Sequence, residues 1–240
     1  MCIRDRYKEA AARLKPLADA QPENTELVYL LAKCYVWARE TDAGLALFQK
    51  LLERDPDSAA VHMLMGEAFG SRYRTPEAIK EFETAAKNGP ALPDVHFGLG
   101  YLYWTQKRYD EAKREFELEL KNDPRHSHAL VYLGDTEMKA GKNTEALALL
   151  KKALEMQKDL HLAHLDMGMI YQQDKRNDLA VGEFHEAIRT DASNYDAHYR
   201  LARLLKEMGR KAEADKEFAI VQKLHDKKTD DLLVEISGPH

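Results

Sequence analysis

The 240-residue chain has little of what small-molecule chemistry usually needs. It carries two cysteines, Cys2 and Cys34, which form neither a disulfide framework nor a metal-binding spacing. Nucleophile elbows, phosphate-cradling glycine loops, His-Glu-x-x-His and Cys-x-x-Cys are all missing, so no familiar catalytic motif is present. No apolar run reaches the ~18–20 residues that a membrane-spanning helix requires. An excess of positive charge is also lacking: 36 Lys and Arg face 41 Asp and Glu, for a net charge of −5, which argues against a general nucleic-acid binder. The charged residues make up 32% of the chain, and their two signs are interspersed, as on solvated helix faces.

Prolines are few, but four of the eight are periodic. Pro22, Pro56, Pro90 and Pro124 stand 34 residues apart, and the phase continues without insertion through Lys158, Ala192 and Asp226. Self-similarity at this period indicates stacked helix–turn–helix units. With the proline at position 32, six whole units run 25–58, 59–92, 93–126, 127–160, 161–194 and 195–228. Position 7 is always large (Leu31, Met65, Leu99, Leu133, Met167, Leu201) and position 8 always small (Ala32, Gly66, Gly100, Gly134, Gly168, Ala202). Position 20 is small again, and position 24 reads Phe48, Phe82, Phe116, Leu150, Phe184 and Phe218. Helix axes ~8–10 Å apart need small residues at closest approach and large ones beside it. A mid-helix glycine costs ~1 kcal/mol against alanine, so four at one position imply a steric reason.

Leu-Gly-x-x-Tyr at Leu99, Gly100 and Tyr103, followed by Ala112, Phe116 and Pro124, resembles the tetratricopeptide repeat (TPR) family over about residues 7 to 228. The tryptophan usual at position 4 of that family is replaced by Val28, His62, His96, Leu130, His164 and His198. The resemblance implies an all-α, right-handed solenoid of antiparallel helix pairs, here thirteen or so helices with no strand and no long loop. Ser58 and Ser127 stand where first helices should begin. At the N-terminal end, residues 1–24 supply only the second helix of a unit. "MCIRDR" reads like a translated sequencing adapter, so residues 1–6 are expected to be artefactual and the natural chain to continue upstream. At the other end, residues 229–240 are expected to form a short capping helix, with Thr229 at its start, Leu232, Leu233 and Ile236 over the last core face, and Gly238-Pro239 at its stop.

Three groups of polar residues invite chemical readings. The histidines at position 4 do not form a metal ladder, because zinc needs nitrogens at ~2.0–2.1 Å and stacked equivalents lie about a helix spacing apart. Packing, with one ring nitrogen turned outward, is the expectation. Glu137 replaces the aromatic or leucine of position 11, and Glu119 the alanine of position 27. Both are expected to reach water or a Lys or Arg, with a polar pocket of raised carboxyl pKa as the alternative. Cys34 at position 10 reads as a buried small apolar residue.

In the family, positions 2, 5, 9, 12 and 13 of each first helix face a concave groove. This chain places Tyr29, Lys33, Trp37, Met63, Glu67, Phe97, Tyr101, Trp104, Asp135, Met169, Tyr199 and Arg203 there. Phe97, Tyr101 and Trp104, at i, i+4 and i+7, make an aromatic stripe, while Leu99 serves the core on another face. Glu67 and Asp135 favour a basic or amide group, and Arg203, with Arg200 and Lys206, an acidic one. The Lys-x-x-x-Asn and Lys-x-x-x-Arg clamp of the family's chaperone-tail binders is absent. The expected function is a non-catalytic, cofactor-free, monomeric scaffold that binds a peptide segment of a protein partner. The alternatives are a substrate-guiding fragment of a larger glycosyltransferase-like enzyme, or an assembly or secretion factor. The sequence names neither partner nor compartment.

Overall fold

The computed structural model describes the backbone of residues 3–237 and the side chains of residues 4–227, and within them thirteen helices and no strand. The chain divides into two compact units, residues 1–124 and 125–240.

The first unit contains α1 (Ile3–Ala20), α2 (Thr25–Trp37), α3 (Thr41–Leu52), α4 (Ala59–Gly70), α5 (Thr75–Asn88), α6 (Val95–Thr105) and α7 (Tyr109–Asn122). α2 packs on α3, α4 on α5 and α6 on α7; α1 packs on α2, and the first helices α2, α4 and α6 lie side by side. The second unit contains α8 (Ser127–Lys139), α9 (Asn143–Met156), α10 (His161–Gln173), α11 (Asn177–Thr190), α12 (Tyr195–Glu207) and α13 (Lys211–Ser237). It pairs α8 with α9, α10 with α11 and α12 with α13, and α8 lies along α10.

Each pair turns in the same way. Arg39, Tyr73, Lys107, Gly141, Lys175 and Gly209 all have positive φ, and they recur every 34 residues. The following amide reaches back five residues, as Arg74 to the Phe69 carbonyl and Arg176 to that of Tyr171. This closes the last orphan carbonyls of the first helix. Four of the six turn residues are not glycine, although the left-handed region costs an L-residue ~1–2 kcal/mol.

The close approach lies where the small residues are. A Cβ on Gly100 would stand 2.8 Å from the Phe116 ring, one on Gly134 2.9 Å from Leu150, and one on Gly168 2.6 Å from Phe184. Phe48, Phe116 and Phe184 are completely buried.

The position-4 histidines tie the pairs together. Nδ1 of His62, His96, His164 and His198 lies 2.6, 2.7, 2.8 and 2.6 Å from Glu81, Glu115, Glu183 and Glu217, always 19 residues on. The other nitrogen, expected to face outward, instead meets the carbonyl of Pro56, Lys158 or Ala192 from His62, His164 and His198.

Other expectations change at helix ends. Ser58 sits at the N-cap of α4 but its side chain caps nothing, and the cap of α8 is His126, whose Nδ1 accepts the Ala129 amide at 3.0 Å; Ser127 is already helical. Residues 229–237 do not make a separate short helix: α13 runs unbroken from Lys211 to Ser237. Asp226 takes the proline's place there, and neither Gly nor Pro occurs between 211 and 237 to stop the helix. The side chains of Thr229, Leu232, Leu233 and Ile236, and Gly238-Pro239, lie outside the described residues. Cys34 is half-buried rather than fully buried.

Candidate functional site

In the first unit the anticipated surface residues come from α2, α4 and α6. Phe97, Tyr101 and Trp104 form a stack on α6, with ring centroids 6.4 and 6.0 Å apart and planes within 29° and 18°. Offset pairs at ~4.5–7 Å are attractive, so the row holds one arrangement. Tyr101 is 39% exposed, and Phe97 and Trp104 are half-buried. Phe97 leans on the core ring of Phe116, and Tyr29 of α2 leans on Phe48 in the same way. Trp37 is held between the Tyr7 ring, 4.8 Å away, and the Lys33 ammonium, 4.4 Å above it. Met63, half-buried, completes the face on α4.

Glu67 is the electrostatic centre of this unit. It lines a cavity of about 880 Å³ beside Trp37, Arg72 and Tyr73, and a second of about 530 Å³ beside Phe82, Asp94, Phe97, Gly98 and Tyr101. Burial raises its carboxyl pKa, the Lys33 charge opposes that, and the Asp94 charge adds to it. Burial also raises the Tyr29 phenol, helped by Glu67. Among the described residues the Glu67 carboxylate makes no hydrogen bond or ion pair.

Two carboxylates that break the repeat pattern turn out to be structural. Glu119 is 2% exposed and accepts the amides of Asp94 at 3.2 Å and Phe97 at 3.0 Å, so it caps α6 from the partner helix. Asp94 itself has φ 64° and makes no side-chain cap of its own. Glu137 pairs with Lys142 at 3.2 Å.

In the second unit the expected residues are less open. Asp135 is 1% exposed and ion-paired to Lys139 of its own helix. Val131 and Leu165, which stand at position 5 as Phe97 does, are buried in the core, while Met169 is half-buried. Tyr199 is exposed, stacked on Tyr195 and edge-on to Phe218. Two cations of the basic end are paired on their own helix: Arg200 binds Asp196 at 2.8 Å and Arg203 lies 3.6 Å from Glu207.

Sequence reasoning missed Asp166 of α10. It is 2% exposed, its Oδ2 has no hydrogen-bond partner among the described residues, and its pKa is raised well above the usual range by burial and then by the Asp135 charge. The signal was available: Asp166 occupies position 6, where the other units read Leu30, Leu64, Gly98, Tyr132 and Arg200. No helix among the described residues is long and apolar enough to cross a membrane.

Models of the tetratricopeptide repeat match residues 4–68, and again 63–120, 97–160 and 165–221. No curated protein is similar enough in sequence to count as a match. Solved structures share the fold. PilF of Pseudomonas aeruginosa is 19% identical with a TM-score of 0.75, covering 90% of this chain and 99% of that one. YrrB, a TPR protein with an unusual peptide-binding site, is 20% identical with a TM-score of 0.58 over 78% and 97% of the two chains. MamA is 18% identical with a TM-score of 0.58 over 69% and 96%.

Proposed function

The chain belongs to the tetratricopeptide repeat family, and from that premise we propose that it is a non-catalytic scaffold whose first helices bind an extended peptide segment of a protein partner. Repeat arrays of this kind offer long surfaces rather than enclosed reaction chambers. The observation that carries the reading is the stacked, part-exposed row Phe97–Tyr101–Trp104 on α6, whose Phe97 and Tyr101 line an open cavity on the same unit. Aromatic rings dominate binding hot spots because they bury much area at small entropic cost. YrrB, a TPR protein of similar fold, has a peptide-binding site, which supports this reading.

The test is selection of a random 12-residue peptide display library on the full chain. Peptides should be enriched, and Tyr101→Ala with Trp104→Ala should weaken them by about 2–4 kcal/mol. Circular dichroism should show an unchanged melt, since Leu99, Gly100 and Tyr103 still hold the pair. An early melt would make these rings core residues; an unchanged melt with unchanged binding would move the surface elsewhere.

A further inference from the structure

The cavity of about 530 Å³ between α4 and α6 falls within the ~300–1,000 Å³ of typical ligand sites. Its floor exists because two glycines face one ring. A Cβ on Gly66 would stand 2.5 Å from Phe82, and one on Gly98 2.4 Å from it. Gly66 follows the repeat pattern. Gly98 does not, since position 6 elsewhere carries a side chain, from Leu30 to Arg200. The Phe82 ring takes the place that a side chain on Gly98 would fill, and so lines the cavity that Tyr101 walls from the side.

The charge of that space is one-sided. Glu67 and Asp94 line it, and no Lys, Arg or His does. Lys33, the cation whose charge reaches Glu67, stands over the Trp37 ring. We propose that this cavity receives one cationic side chain, arginine or lysine, from the bound peptide. The inference rests on the peptide-scaffold reading and supplies its specificity. Aromatic faces attract a cation, and do so more strongly where water is displaced. The Glu67 carboxylate adds a charge-assisted partner. An apolar side chain seated there would bury Glu67 without any partner, which is unfavourable, and an acidic one would be repelled by both carboxylates. The ring floor and the acidic wall thus select the same ligand class, and neither alone would.

The library selection above reads this directly. Enriched peptides should share one Arg or Lys. Glu67→Gln and Asp94→Asn, isosteric changes that keep the left-handed turn available to residue 94, should each weaken the best peptide at least tenfold, a loss of about 1.4 kcal/mol. Replacing that peptide's basic residue by norleucine should do the same on the unaltered protein, so the test does not depend on a variant folding. Peptides that need Tyr101 and Trp104 but carry no shared basic residue, or that bind Glu67→Gln and accept norleucine unchanged, would overturn the cation site and leave the scaffold standing. Failure to enrich any peptide dependent on Tyr101 would overturn both.

Discussion

His164 and Glu183 meet at 2.8 Å across the α10–α11 pair, and the far nitrogen of the same ring lies 3.2 Å from the Lys158 carbonyl. Both ring nitrogens therefore face acceptors, an arrangement that the doubly protonated imidazolium satisfies. Burial works against that charge, but the Glu183 hydrogen bond and the Lys158 carbonyl outweigh it and raise the pKa.

A raised histidine pKa makes the tie pH-dependent. Its stabilisation is fully present below the ordinary value of ~6.5 and is lost as pH rises through the higher folded value. Melting curves from pH 5.5 to 9 should show this loss, and Glu183→Gln should cost about 1–2 kcal/mol at the acid end and less at the alkaline end. Coincident curves for the two proteins would mean that the tie contributes nothing, and parallel but offset curves that its contribution does not depend on the histidine charge.

Glu119 carries a helix end that has no cap of its own. Glu119→Ala should destabilise the first unit by about 1–2 kcal/mol, the range of a lost N-cap. Hydrogen exchange at the amides of residues 94–97 should accelerate before that of α2. Unchanged exchange there would show that water or another group replaces the carboxylate.

Asp166 should limit stability rather than support it. Its folded pKa is raised by burial and by Asp135, with Lys139 and Arg200 opposing and Asp196 adding. The sign is that of a group favoured when protonated: its contribution is present below the ordinary carboxyl range and lost as pH rises through the raised value. Asp166→Asn stays neutral throughout. It should be the more stable protein at pH 8, with a smaller gain at pH 5. An equal loss at both values would show that Asp166 is held as an anion by its cationic neighbours.

The repeat register was open to reading because packing constrains it at every unit. Positions 8 and 24 recur as small and large, and the fold sets Gly100 against Phe116 and Gly168 against Phe184. The site was only partly legible. A periodic template says which face a residue is on but not how deep it lies, so Asp135 was assigned to an open surface and is buried under Lys139. Nor could spacing alone show that Glu119 reaches the start of α6, since the two are joined only through the antiparallel turn. The cavity beside Phe82 depends on how that ring seats against Gly66 and Gly98, a contact between two helices that spacing along the sequence does not reveal.

Gly100→Leu should force α6 from α7. Overpacking of this kind costs about 1–3 kcal/mol or more. Because repeats couple mainly to their neighbours, the helices of the second unit should keep their ellipticity while the first unit melts early. An unchanged melting curve would contradict the assigned contact.

The histidine ties and the turn bonds share a short reach. His62 touches residues 6 behind and 19 ahead, and even the Arg54 and Asn122 side chains grip carbonyls only 32 residues away, at Pro22 and Pro90. Mechanically, such a chain is a zip rather than a net. Within each unit, tension would load neighbouring helix pairs one after another, because the ties described join each pair to the next. A partner gripping several first helices at once would bridge these units and stiffen the array against pulling.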